Sequence, residues 1–303
     1  MHVTLRQLKV FEAVARRGSV TRAAEELHLT QPTVSVQIRQ LADAVGLPLT
    51  EQIGRQLRLT DAGRELAAVC RQMFDLWAGF EQTADAMKGL RRGRLRLAVV
   101  TTAKYFVPRL LGPFCARYPE VEVALEVANR DAVLARLAAN LDDLYIMGMP
   151  PQHYDIESVP FLDNPLVVIA PRHHALVGRK RVPLKRLLEE RFVVREAGSG
   201  TRMAVEQFLA ARKLSLPVKM EIASNEAVRQ AVASGLGLSV ISLHAVGPQD
   251  GVAVLDVEGF PLKRAWHALY PRGRRLSPVA ATFFEYMRSG RMADGDGGGP
   301  PRR

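Results

Sequence analysis

Gln31, Ser35 and Arg39 fall along one side of the stretch QPTVSVQIRQLADAV, while Val34, Ile38 and Leu41 fall along the other. Gln can pair bidentately with adenine and Arg with guanine, and Ser or Thr can serve several acceptors. With Pro32 and Thr33 in its first turn, the stretch has the residue types that read base edges in a DNA groove. An ordinary solvated helix face would show any one of these residues, so the argument rests on the whole pattern. A second set suits a small anion. Thr101, Thr102 and Lys104 follow one apolar strand-like run, and Gly198-Ser199-Gly200-Thr201-Arg202 follows another. A Gly-rich turn feeding a helix offers free N–H groups, and Lys or Arg adds charge. Asn129, Arg130, Met147 and Asn225 stand at comparable strand ends or helix starts. Plain N-capping by Thr and Ser is the competing explanation for each taken alone.

Other reactive residues lack support. His173-His174 has no second ligand pair at zinc spacing, so no metal is expected. Ser199 is not in a nucleophile-elbow pattern, and GSGTR lacks the spacing of a P-loop. The two cysteines, Cys70 and Cys115, sit in no paired motif. No catalytic constellation emerges, so no enzyme is expected.

The chain has 303 residues, about two domains' worth, and at 48% hydrophobic it can bury a sizeable core. Its formal net charge of +11 fits a nucleic-acid partner, with a scattered basic surface as the alternative. The N-terminal MHVTLRQLKVF lacks a secretory pattern, and no apolar run approaches the length of a membrane span, so a cytoplasmic protein with no membrane partner is expected. The Gly/Pro-rich end, 291–303, reads as a disordered tail.

What would position the first set? Thr4 and Gln7 form a capping-box pair before a helix whose apolar face is Leu5, Leu8, Phe11 and Ala15. Ser19 can cap a second helix carrying Val20, Ala23, Ala24 and Leu27. HLT is a tight connection, and Thr30 can cap the third, with Pro32 tolerated in its first turn. Small Ala23 and Ala24 allow close packing. The predicted unit is a helix-turn-helix whose third helix reads the major groove. LTEQIGRQLRLT then predicts a hairpin wing with Arg55 near its tip, placed for a phosphate or a minor groove. From Thr60 to Gly89, Leu66, Cys70, Met73, Trp77, Phe80, Ala84 and Met87 step as a heptad seam. A partner helix is the expectation, and packing within its own domain is the alternative.

The segment LRQLKVFEAVARRGSVTRAAEELHLTQPTVSVQIRQLADAVGLPLTEQIGRQLRLTDAGREL resembles the LysR-type transcriptional regulators. FCARYPEVEV, GSGTR, AVASGLGLSVIS and RRLSPVAATFFEYM extend the likeness over about residues 2–290. HVTLRQLKVFEAVAR, LPLTEQIGRQLRLT, TAKYFVPRLLGPF and YIMGMPP are most similar to regulators of Calvin-cycle (RuBisCO) operons. Thr50 and Val20 stand where the family commonly has Phe, and Val36 where it often has Arg. The resemblance implies a winged helix-turn-helix (1–59), a long dimerisation linker helix (60–91) and a periplasmic-binding-protein-like effector domain (92–290). It divides the last into lobe I (92–163 and 266–290) and lobe II (164–265). It also implies homodimers that associate into homotetramers on double-stranded promoter DNA, an effector that alters the DNA bend, activation of transcription, and RNA polymerase as a further partner to consider.

The later residues support an α/β reading independently. GRLRLAVV, VEVALEVA and DLYIMGM read as strands separated by the helices FVPRLLGPFCARY and RDAVLARLAAN. That alternation predicts a parallel sheet with crossover helices, and NPLVVIAP opens a second such unit. Two lobes make a cleft at strand carboxyl ends. The expected fold is therefore α/β with an N-terminal all-α winged helix-turn-helix. The expected function is a DNA-binding regulator answering a small anionic effector, a phosphorylated or carboxylated metabolite, with no other cofactor. A solute-binding protein without DNA function is the alternative.

Overall fold

The computed structural model describes residues 3–53, 56–87, 92–247 and 250–289. The chain divides into two compact units, residues 1–81 and 82–303. The dividing point falls inside one long helix, which occupies most of the expected linker segment 60–91.

The first unit begins with α1 (Leu5–Arg17), α2 (Val20–Leu27) and α3 (Gln31–Val45). All three start on predicted caps: the Thr4–Gln7 capping box, Ser19, and Thr30 accepting from the Thr33 N–H. The HLT turn works because His28 ends α2 in the left-handed region, φ 53°, a conformation costly for a residue with a Cβ. Val10, Ala13, Val14, Ala23, Ala24, Val34 and Ile38 form the core between the helices, and Ala23 is fully buried, as close packing requires. β1 (Thr50–Ile53) and β2 (Gln56–Leu59) pair antiparallel, giving the hairpin. Its tip, with Arg55, lies outside the described residues.

α4 (Asp61–Met87) then closes the base of this unit. Cys70 and Ala67 pack with Phe11, Leu41 and Leu49, with Leu66 against them. Gly63 sits so near the Leu49 backbone that a Cβ there would meet its carbonyl oxygen at 1.9 Å. The expected seam therefore divides. Leu66 and Cys70 face their own domain because the first turns of α4 are needed to cover its core. Val69, Leu76, Trp77 and Phe80 are exposed instead. Val69, Met73, Leu76 and Phe80 keep the 4-3-4 spacing of a coiled-coil face and share Met73 and Phe80 with the expected seam. Burial also lifts the Cys70 thiol to about 11, which leaves it an unreactive packing group.

The second unit has two lobes. The first contains β3 (Gly93–Val100), α5 (Val107–Arg117), β4 (Val121–Ala128), α6 (Arg130–Ala138), β5 (Leu144–Met147) and β6 (Ile156–Asp163). The second contains β7 (Leu166–Pro171), α7 (Leu184–Leu187), β8 (Phe192–Arg195), α8 (Gly200–Ala210), β9 (Val218–Ile222), α9 (Asn225–Ala233), β10 (Ser239–Ser242) and β11 (Val252–Leu255). The chain then returns to the first lobe with β12 (Ala265–Pro271) and α10 (Pro278–Arg288).

The first lobe's sheet runs β4-β3-β5-β12-β6, with β3 parallel to β4 and β5. The all-parallel expectation needs correcting, because β12 lies antiparallel to both β5 and β6. The cause is the returning chain, which re-enters from the second lobe. One face of the sheet packs on α5 and α10 through Leu95, Leu97, Phe114, Phe283 and Met287. The other packs on α6 through Val133 and Leu137. In the second lobe β7 pairs antiparallel with β10 and β11, and β8 pairs parallel with β9. A bridge between Phe192 and Leu238 joins the two groups.

Candidate functional site: a recognition helix and an inter-lobe cavity

On α3, Val34, Ile38 and Leu41 are buried, while Gln31, Pro32, Ser35 and Arg39 are exposed and Thr33 is half-buried. The Thr33 hydroxyl lies 2.7 Å from that of Thr30, so this residue serves the helix start. Val36 is also exposed on the outward side. The amphipathic pattern leaves a polar strip on a helix whose other side is locked to α1 and α2. That arrangement can carry donors and acceptors into a groove.

The second site lies between the lobes of the effector unit. Its lining includes Thr101 and Thr102 after β3, Arg130 opening α6, and Met147 to Met149 at the end of β5 and just beyond it. Arg195, Glu196 and the start of α8 come from the second lobe, Asn164 and Arg264 from the crossovers between lobes, and Trp266 from β12. The cavity proper is small, about 40 Å³, and opens to solvent. Three guanidinium groups against one carboxylate leave it electropositive. Arg195 is 3% exposed, and its guanidinium donates to Glu196, Asn225, Thr101 and the Ala223 carbonyl. Two buried donors in the lining, Arg130 Nε and Trp266 Nε1, have no partner among the described residues. The α8 N-terminus adds backbone N–H groups at Gly200 and Thr201. Together these can hold a compact anion with an apolar edge.

The lobes also meet beside the cavity. The 3-10 turn Thr101–Tyr105 faces the start of α9. Asn225 donates to the Thr102 hydroxyl at 3.0 Å, while Tyr105 donates to Glu226 at 2.6 Å and Lys104 pairs with it at 2.8 Å. Burial alone would raise the Glu226 pKa. Hydrogen bonds from Lys104, Tyr105, its own backbone and Ser224 outweigh that and hold it at about 2.

Comparison with known proteins supplies the family. Residues 5–64 match the bacterial regulatory helix-turn-helix protein, lysR family, and residues 88–291 match the LysR substrate binding domain. The chain is 50% identical over 289 residues to the HTH-type transcriptional activator CmpR of Synechocystis, covering 94% of this chain and 95% of that one. It is 50% identical over 292 residues to the RuBisCO operon transcriptional regulator of Allochromatium vinosum, covering 95% and 97%. A solved structure of the Synechocystis CcmR regulatory domain in complex with 2-PG matches with TM-score 0.63 and 46% identity, over 65% of this chain and 97% of that one. The chain is a LysR-type transcriptional regulator. The solute-binding alternative falls, because the helix-turn-helix belongs to the matched family, and the family is one of regulators rather than enzymes. Among the described residues of the regulator, no helix is long and apolar enough to cross a membrane.

Of the residues expected to meet an effector in this regulator, Thr101, Thr102, Arg130, Met147 and Thr201 line the cavity. Four stand elsewhere. Lys104 is turned to Glu226, and Asn129 caps α6 by accepting from the Ala132 N–H. Asn225 lies behind the lining, bridging Arg195 and Thr102. Arg202 gives its charge to Glu206 and Glu221 and a hydrogen bond to the Arg195 carbonyl. Sequence reasoning missed Arg195, Glu196, Asn164, Arg264 and Trp266. The pairing of Arg202 with Glu206 at i, i+4 was a legible warning that its charge is spent. Nothing local marks Arg195, since a strand-end arginine looks like any other until its partners arrive from distant segments.

Proposed function

We propose that this regulator controls carbon-fixation genes, binding their promoter as an oligomer and answering a small anion held between its lobes. The observation that carries the effector part is the cavity: three guanidinium groups, one carboxylate, two buried unpartnered donors and a helix N-terminus. That inventory suits a phosphorylated or carboxylated metabolite. The complex of the CcmR domain with 2-PG supports a ligand of this size at this domain. Likeness to CmpR and to RuBisCO operon regulators over nearly the whole chain supports the target and an activating role.

DNA contact is assigned to Gln31, Pro32, Thr33, Ser35 and Arg39, with Arg55 from the wing. The supporting observation is the exposed polar strip on α3. The exposed apolar residues Val69, Leu76, Trp77 and Phe80 on α4 support a second copy of the chain as partner, since an apolar helix surface of this size is costly in water.

The test is a thermal-shift titration of the full chain with 2-PG, sugar phosphates, phosphoenolpyruvate and NADPH. Stabilisation by at least one anion that is lost in Arg130→Ala and Arg264→Ala is expected. Stabilisation that survives both substitutions would place the ligand elsewhere, and a response to none of the anions would remove the effector assignment.

A further inference from the structure

The cavity contains an anion of its own. Glu196 Oε2 accepts from Arg195 Nε at 2.7 Å, and Oε1 accepts from Nη2 at 2.9 Å. This is a bidentate fork between consecutive residues. Neighbours in a strand point to opposite faces, so the pair forms only because β8 stops at Arg195 and the chain turns through Glu196 toward Gly198, φ 82°. The two partners are held very differently. The Arg195 side chain is 3% exposed and tied on its remaining edges to Asn225, Thr101 and the Ala223 carbonyl. The Glu196 side chain is 21% exposed at the cavity rim, and Arg195 is the partner of its carboxylate.

The backbone on both sides of Glu196 is pinned. Arg202 donates to the Arg195 carbonyl at 3.1 Å and pairs with Glu221, and Glu221 accepts the Ala197 N–H at 3.3 Å. Glu196 can therefore swing into water by side-chain rotation, without opening the turn. Arg195 cannot follow it. A buried guanidinium stripped of its counter-ion is strongly destabilising, so whatever draws Glu196 away must replace it.

We propose that Glu196 is a resident counter-ion, occupying the seat on Arg195 that the effector's anionic group takes. Effector binding is then an exchange of one anion for another on a fixed guanidinium. This rests on the effector reading above and adds its chemistry of selection. A neutral polar ligand cannot displace a bidentate carboxylate, whereas a phosphate or carboxylate offers two oxygens of matching geometry. It also gives the exchange a route outward. Nη2 of Arg195 is shared with Thr101, and Nη1 with Asn225, whose amide donates to Thr102. A change of partner on Arg195 is felt at the turn through which the lobes touch.

The experiment is calorimetric titration of the full chain with 2-PG and with inorganic phosphate, in the wild type, Glu196→Gln, Arg195→Lys and Arg130→Ala. Gln keeps the shape and one acceptor but loses the charge that competes for the seat. Glu196→Gln is expected to bind 2-PG about ten-fold more tightly or better. Arg195→Lys keeps the charge without the fork and is expected to bind it at least about ten-fold more weakly. Unchanged or weaker binding in Glu196→Gln, with Arg130→Ala still impaired, would overturn the counter-ion role and leave the effector site standing. Failure of the wild type to bind either anion would bring down both.

Discussion

The helix proposed to read DNA and the inter-lobe cavity both carry arginine, and they keep it in opposite states. Arg39 stands exposed on α3, while Arg195 is buried and ringed by partners. The difference fits what each is proposed to meet. DNA is a large polyanion of fixed shape that brings the geometry with it, and contact gains from released counter-ions, so the protein's cations can wait in water. A small anion brings no scaffold. Its site must be desolvated and shaped beforehand, and desolvated cations must be neutralised until the ligand arrives. The first region is built by local packing, the second by long-range pairing.

That contrast can be broken at several points. The largest effect is expected at Gly63. Any Cβ there collides with the Leu49 backbone, so Gly63→Ala should cost the helix-turn-helix unit more than about 3 kcal/mol. Calorimetric melting should show that unit destabilised and DNA binding lost, with the 2-PG response of the effector unit retained. Loss of both together would mean the two units are not separable.

Next comes the reading face. Gln31→Ala should cost about 1–3 kcal/mol at particular base pairs and relax preference there, while Arg55→Ala should weaken binding evenly across sequences. Binding to a set of single-base operator variants distinguishes these outcomes, and a uniform loss in both would misplace the recognition helix. Leu76→Glu adds a charge to the exposed row on α4 and should lower the dimerisation constant by about ten-fold or more without affecting single-unit melting. Sedimentation at graded concentration reads it.

A smaller effect is expected from acid. Glu226 has its pKa depressed to about 2 in the folded regulator. Its contribution is fully present above the ordinary carboxylate value near 4.5 and is lost as pH falls toward 2. Melting of the effector unit should therefore weaken between those limits, and Glu226→Gln should flatten that part of the profile. The smallest change is Thr30→Ala, which removes the cap of α3 and should cost about 1 kcal/mol.

What the sequence showed and what it hid divide along the same line. Caps at Thr4, Ser19 and Thr30, the apolar spacing of Val34, Ile38 and Leu41, and the hairpin before α4 are all local, and each could be read from neighbours within a few residues. The lobes' strand–helix alternation was equally legible. The antiparallel β12 was not, because its direction depends on a chain that leaves one lobe and returns. In the cavity, Thr101, Thr102 and Thr201 were legible as strand-end or helix-start hydroxyls. Arg195 and Arg264 were not, since their roles come from Asn225, Thr101 and Gly148, far away in sequence. The expected α4 seam divided for a related reason: period alone cannot say that Leu66 and Cys70 cover the domain core while Trp77 and Phe80 stay exposed.

The most direct measurement is a footprint of the purified regulator on the DNA upstream of its own gene and of the carbon-fixation genes of its source, with and without 2-PG. A protected pseudo-palindrome whose extent changes with the ligand, and no longer changes in Arg195→Lys, is the expected result. Protection that is the same with and without 2-PG and every other anion of the panel would contradict a cavity that governs DNA binding.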